Sequence, residues 1–151
     1  MRIAIGADHG GFEQKQQLAA YLTNELNCEV EDMGCFSTES VDYPDYAAPV
    51  AHAVAEGRAD AGVLVCGTGI GMAIAADKVP GVRASSITTP AFAELFRQHN
   101  NGNVVCLSGR FVDLDTNKAI VRTFLETPFE GGRHEGRIAK ICAIEAEAEE
   151  V

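Results

Sequence analysis

Hydrophobic positions along the chain fall into short solid runs separated by longer amphipathic stretches. Ile3-Ala4-Ile5, Val63-Leu64-Val65 and Val104-Val105-Cys106-Leu107 carry no charge, as strands covered on both faces read. Between them, apolar residues recur three or four apart, as in Leu18, Leu22 and Leu26 and again in Ala47, Val50, Ala51 and Val54, which is the spacing of a helix face. The pattern predicts a strand over Arg2–Ala7, a helix from Phe12 to about Leu26 ended by Asn27, and a strand over Cys28–Asp32. A helix through Ala47 to Val54, stopped by Gly57, leads to a strand ending at Cys66 and a helix to Lys78 that Val79-Pro80-Gly81 breaks. Val82–Ile87 reads as a fourth strand, and Thr89-Pro90 as the N-cap and first turn of a helix to about Gln98. A fifth strand over Asn103–Leu107 and a helix over Asp113–Glu126, closed by Pro128, follow. Gly131-Gly132 then hinges into a last helix from about residue 133, with an apolar stripe of Ile138, Ile141 and Ile144 and a frayed acidic end at Glu145, Glu147, Glu149 and Glu150.

Five strand–helix units without hairpin signals imply an α/β fold, a three-layer α/β/α Rossmann-like sandwich around a five-stranded parallel sheet. With no internal repeat and no linker, residues 1–151 are expected to form one domain. Twelve Lys and Arg against 22 Asp and Glu give a net charge of −10, which argues against nucleic acid or an anionic membrane as partner. Five cysteines without a Cys-x-x-Cys pair, and no basic segment leading into an apolar one at the start, point to reducing cytoplasm. Ala61–Ala76 is uncharged but holds four glycines, and it falls short of the ~18 apolar residues of a membrane span.

The stretch Ala61–Lys78 carries the first candidate chemistry. A buried strand turns through Gly67-Thr68-Gly69-Ile70-Gly71 into an alanine-rich helix, so unpaired N–H groups at the positive end of the helix dipole face one point. That is an anion cradle with Cys66 at its lip, where the same field favours a thiolate that can act as base or nucleophile. A buried Cys that ends a strand before a tight turn also serves plain packing, and both readings stay open on these residues. Asp8-His9 ends the first strand as Cys66 ends the third, so the carboxylate, imidazole and thiol converge if those strands are neighbours, although a turn's Asp-His pair also serves local hydrogen bonding. Arg133 and Arg137 share one face at a helix start, where cations oppose the dipole unless a phosphate compensates them or solvent screens them. The histidines His9, His52, His99 and His134 show no metal-ligand spacing, and no metal is expected.

Taken together, Gly6-Ala-Asp8-His9-Gly10, Asp42-Tyr43-Pro44, Cys66-Gly-Thr-Gly-Ile-Gly71, Arg97-Gln-His99-Asn100 with Asn103-Val104, Gly109-Arg110, and Gly131-Gly-Arg133-His134 with Arg137 resemble the ribose-5-phosphate isomerase B family. That family belongs to the sugar-phosphate isomerases that include galactose-6-phosphate isomerase subunits, and the resemblance covers essentially the whole chain. In one branch a glutamate just after the glycine loop is the base; Met72 stands there in this chain and Cys66 is kept, as in the cysteine branch. Asp77 departs from the Asn expected in Ala-Ala-Asn-Lys. The resemblance implies interconversion of ribose 5-phosphate and ribulose 5-phosphate through an enediolate. Cys66 would be the base, and the amides of Gly67, Thr68, Gly69, Ile70 and Gly71 with the Thr68 side chain would form the oxyanion site. His99 with Asp8 would open the sugar ring, Arg110, Arg133 and Arg137 would anchor the phosphate, and His9, Tyr43 and Asn100 would hold hydroxyls or phosphate. No metal or organic cofactor is implied.

Other classes meet the residues less well. A cysteine phosphatase needs Cys-x5-Arg to clasp the transferred phosphoryl group, and position 72 is Met. A dinucleotide module needs Gly-x-Gly-x-x-Gly on the first turn, where Asp8-His9-Gly10-Gly11 stands. A sugar-phosphate binder without turnover, and an isomerase of allose 6-phosphate or galactose 6-phosphate, remain as alternatives. Chain direction adds one expectation. Cys66 ends a strand while His99 follows a helix running back from that edge, so His99 must come from another subunit if both act on one sugar. A homodimer or dimer of dimers follows, with Ile138, Ile141 and Ile144 either holding the partner or covering their own sheet.

Overall fold

The computed structural model describes residues 1–149; Glu150, counted above in the acidic end, and Val151, the end of the expected single-domain span, lie outside the described residues. Strands β1 (Arg2–Ala7), β2 (Glu29–Asp32), β3 (Ala61–Cys66), β4 (Ala84–Ser86) and β5 (Val104–Ser108) alternate with helices α1 (Phe12–Asn24), α2 (Pro44–Ala55), α3 (Ile70–Ala76), α4 (Pro90–Asn100) and α5 (Leu114–Glu126), and α6 (Arg133–Glu149) follows. All strand pairs are parallel, in the order β2-β1-β3-β5-β4. This is the α/β fold expected from the hydrophobic pattern.

Strand alternation sorts the core into two layers. Ile3, Ile5, Val63, Val65, Val105 and Leu107 point to the side packed by Leu18 and Leu22 of α1, Phe96 of α4 and Ile120 and Phe124 of α5. Ala4, Leu64, Cys66, Val104 and Cys106 point to the other side, under Val50 and Ala51 of α2 and Met72 and Ala76 of α3. Both faces of the three central strands are dry, and each buried Leu, Ile or Val stabilises the fold by roughly 1.5–3 kcal/mol.

Element ends follow local hydrogen bonding. The α1 helix stops at Asn24, before the expected Leu26, because the Glu25 and Leu26 amides both return to the Tyr21 carbonyl and Asn27 turns left-handed at φ 55°. The Cys28 amide then closes on the Leu22 carbonyl, so β2 begins one residue late. Thr89 caps α4 as anticipated, its Oγ1 accepting from the Phe92 amide at 3.2 Å. The fourth strand is shorter than the hydrophobic run suggests, since the Val82 amide is bound in a turn to the Val79 carbonyl and the Arg83 amide donates to Asn103 Oδ1. The α6 helix follows the last strand–helix unit. It packs on α4 and leaves Ile141 and Ile144 47% and 66% exposed.

The sheet diverges between β1 and β3: the chain goes outward from β1 to β2 on one side, and from β3 to β5 and β4 on the other. In such folds the crevice outside the carboxyl ends of the two diverging strands receives ligands.

Candidate active site

Asp8 and Cys66 flank that crevice. The Ala7 position pairs with Val65 in the β1–β3 ladder, and the Asp8 amide continues it by donating to the Val65 carbonyl at 3.2 Å. The Cys66 side chain is buried, and its sulfur accepts a hydrogen bond from the Gly69 amide at 3.1 Å. Gly69 makes that bend at φ 83°, where a Cβ would lie 3.0 Å from the Cys106 carbonyl oxygen. The Thr68 hydroxyl accepts from the Ile70 amide at 3.2 Å. Two of the five amides expected to meet an oxyanion are thus already engaged. Among the described residues, the amides of Gly67, Thr68 and Gly71 have no partner and remain available as donors.

The walls around Cys66 come from three loops. Asp8 Oδ1 accepts from the Gly10 amide at 2.9 Å, which fixes the carboxylate toward its own turn. His9 Nδ1 accepts from the Val41 amide at 3.1 Å, so in the neutral ring Nε2 carries the proton and is a donor. The exposed Tyr43 ring lies across Gly71, where an added Cβ would stand 2.8 Å from Cζ; the absence of a side chain at 71 admits the phenol. The Arg110 guanidinium lies against Gly10 and Gly67, with Nη2 and Nη1 3.2 and 3.1 Å from where their Cβ atoms would be. It is carried on a loop stitched to the cradle: Gly109 N donates to Cys66 O, Arg110 N to Gly67 O, and Ser108 Oγ to Gly67 O at 2.7 Å.

Three polar residues that sequence reasoning passed over brace these loops. Lys15 is fully buried, and its Nζ donates to both Asp32 carboxylate oxygens at 2.7 and 2.8 Å and to Cys35 O at 2.7 Å, tying the end of β2 to the loop leading to Val41 and Tyr43. Gln14 Nε2 donates to Gly109 O and Val112 O, and Asn117 Nδ2 donates to Gln14 Oε1 and Ser108 O, which holds the Arg110 loop from below. The signal for Lys15 was a charge three residues before Leu18, on the same face as Leu18 and Leu22. Met72, at the position of the alternative base, is fully buried in the α3 layer, in the same core cluster as Cys66.

The remaining predicted site residues gather at the opposite edge of the sheet. His99 and Asn100 end α4, and Asn100 O accepts from Arg83 Nε at 3.1 Å beside the turn that leads into β5. The Gly62 amide near the start of β3 donates to Asn103 O at 2.9 Å, whereas Cys66 lies four residues further along that strand, roughly 13 Å away at ~3.3 Å per residue. Arg133 and Arg137 are exposed on the first turns of α6, beside this same edge. The His99 ring stacks on that of the buried His134, with centroids 4.4 Å apart and planes at 15°. Glu130 Oε2 is 3.8 Å from His134 Nε2, and the Glu130 amide donates to the Gln98 carbonyl.

The two imidazoles and the Glu130 carboxylate have ligand atoms within 4.8 Å of one another. A metal must lie in the plane of each imidazole it binds, and stacked planes 15° apart do not meet between the rings, so this arrangement suits stacking rather than chelation. The candidate site residues therefore fall into two groups at opposite edges of the sheet. Cys66, Asp8, His9, Tyr43, residues 67–71 and Arg110 form one; His99, Asn100, Arg133 and Arg137 form the other.

The family described as Ribose/Galactose Isomerase matches residues 3–141. The ribose-5-phosphate isomerase B of Escherichia coli (strain K12) is 48% identical over 144 residues, covering 95% of this chain and 96% of the relative. A structure of Clostridium thermocellum ribose-5-phosphate isomerase B superposes with a TM-score of 0.96 at 46% identity, over 98% of this chain and 99% of the other. The Trypanosoma cruzi type B enzyme superposes with a TM-score of 0.93 at 45% identity, over 97% and 99% of the two chains.

Proposed function

The chain belongs to the ribose/galactose isomerase family, and from that premise we propose that it interconverts ribose 5-phosphate and ribulose 5-phosphate with Cys66 as the base. The observation that carries the assignment is the seat of the Cys66 sulfur, at the end of a central strand, held by the Gly69 amide and bordered by free N–H groups.

In the aldose direction, the furanose ring opens when an acid protonates its ring oxygen and the C1 hydroxyl loses its proton. We assign the acid to His99 and the opposing carboxylate to Asp8. Cys66 then takes the C2 proton, negative charge develops on the enediolate oxygens, and the amides of Gly67, Thr68 and Gly71 meet it. A proton passes from the C2 hydroxyl to the C1 oxygen and Cys66 returns its proton to C1, which leaves the C2 carbonyl and C1 hydroxyl of the ketose, so Cys66 ends as it began. Arg110, Arg133 and Arg137 anchor the phosphate, while His9 Nε2, Tyr43 and Asn100 hold hydroxyls or phosphate. Every step is proton transfer and charge stabilisation by side chains and backbone.

The separation of the two groups supports an active unit of at least two copies, each lending His99, Asn100, Arg133 and Arg137 to the cradle of its partner. Exposed apolar residues suit such an association: Ile70 and Ile74 on α3 are 56% and 59% exposed, and Phe92 on α4 is 61% exposed. Five unpaired cysteines, four of them buried, fit a reducing cytoplasm, and no described helix is long and apolar enough to cross a membrane. Incubation with ribose 5-phosphate and detection of ribulose 5-phosphate tests the assignment. Failure to turn over while the sugar phosphate still binds would make the protein a binder, and faster turnover of a six-carbon aldose phosphate would move the assignment to that substrate.

A further inference from the structure

We propose that His134 is a positioning residue for His99, its ring holding the plane of the His99 imidazole so that the proton is aimed at the furanose oxygen. The inference rests on the assignment of His99 as the ring-opening acid. His99 stands on the last turn of α4, where a half-buried side chain would otherwise sample several rotamers. Against it lies the flat face of His134, stacked at 4.4 Å and within 15° of parallel. Productive proton transfer tolerates misalignment of only about 10–20°, so a flat wall on one face is the restraint this histidine needs.

His134 is itself well held. It is 5% exposed, and its amide donates to the Gly131 carbonyl within the turn that Gly131 and Gly132 make at φ 71° and 56°. The Glu130 amide binds the Gln98 carbonyl, one residue before His99, so the start of α6 and the end of α4 are stitched together at the stack. Burial, then His99 and Arg133 beside it, hold the His134 imidazole below the ordinary histidine range; Glu130 opposes this and Arg137 adds to it. At neutral pH His134 is therefore an uncharged stacking partner that does not repel a proton on His99.

The arrangement separates two roles on one helix turn. Arg133 and Arg137 flank His134 and are assigned to the phosphate, so loss of their placement raises KM, whereas loss of His99 alignment lowers kcat at unchanged KM. Ribulose 5-phosphate provides a second separation. Its C5 hydroxyl is esterified, so it has no furanose form, and exchange of its C1 hydrogen with D2O requires the base but no ring opening.

The experiment measures kcat and KM for ribose 5-phosphate, and the C1 exchange of ribulose 5-phosphate, in His134→Leu and His134→Phe. Leu fills a similar volume without a flat face, and Phe restores the face. His134→Leu should lose about tenfold or more in kcat, with KM within about twofold and exchange within about threefold of wild type; His134→Phe should keep kcat within about threefold. If His134→Leu does not fold, His134→Asn takes its place with the same expectation. Unchanged kcat, a rise in KM without loss of kcat, equal loss of exchange and turnover, or equal loss in Phe and Leu would each overturn the positioning role. His99→Asn serves as the reference. If it is active, the underlying assignment of His99 fails; if it loses turnover but keeps exchange while His134→Leu behaves as wild type, only the inference about His134 fails.

Discussion

The Gly69 amide donates to the Cys66 sulfur over 3.1 Å, three residues back along the chain, so the sulfur is oriented by the backbone of the glycine loop proposed to supply the anion donors. The proposed base and the proposed oxyanion donors thus share one turn, set by the left-handed conformation of Gly69. Gly69→Ala should disturb both at once. Its Cβ would press the buried Cys106 carbonyl oxygen at 3.0 Å in a conformation that costs an L-residue about 1–2 kcal/mol. A stability loss of that order in urea, with a fall in kcat, is expected. Unchanged kcat would show that the turn does not aim the sulfur.

Cys66→Ala should lose nearly all turnover and retain binding of phosphate-bearing inhibitors, because the role proposed for the thiol is at the reacting carbon and not at the phosphate. Retention of more than roughly a tenth of wild-type kcat/KM, a loss under about 1.4 kcal/mol, would remove Cys66 from the role of base. Substitution of Cys28, Cys35, Cys106 or Cys142 should leave the chemical step in place, since among the described residues Cys66 is the cysteine whose sulfur a glycine-loop amide binds.

Arg137→Ala should weaken binding of phosphorylated sugars by about 2–4 kcal/mol and leave the slight rate on free ribose unchanged. Inhibition constants for a phosphorylated sugar acid, compared with rates on ribose, read this directly. Equal losses on both would make Arg137 structural.

Asp77, the departure from the expected Asn, takes up the structural duty an Asn would fill: its Oδ1 accepts from the Ala84 amide at 2.7 Å, joining α3 to β4. Burial raises its carboxyl above the ordinary range; the Ala84 amide opposes this, and Glu145 across from α6 adds to the rise. A group raised in the folded state contributes stability that is full at pH below its unfolded value and is lost as pH rises through its folded value. Asp77→Asn should therefore raise Tm near neutral pH and remove that part of the stability lost on going up through the carboxylate range, with the Ala84 bond kept. A lower Tm at pH 7 would contradict this account.

Much of the fold was legible because Val63-Leu64-Val65 and its companions on β1 and β5 are covered on both faces, and such strands must be apolar at every position. The edge strand β4 was overestimated because Val82 looks like strand sequence while its amide is spent in a turn. In the site, Cys66 and its glycines could be seen because backbone geometry demanded them. The roles of Lys15, Gln14 and Asn117 depend on which loops meet beneath the cradle, and the His99–His134 stack depends on how α6 docks on α4; neither is written in local sequence.

The shared site is the central claim, and complementation tests it most directly. Cys66→Ala and His99→Asn chains, each inactive alone, are refolded together so that mixed dimers hold one doubly defective site and one intact site. With random pairing half the dimers are mixed, and about a quarter of wild-type activity should return if sites act independently. Mixed dimers demonstrated by mass spectrometry yet as inactive as their parents would contradict a site built from two chains.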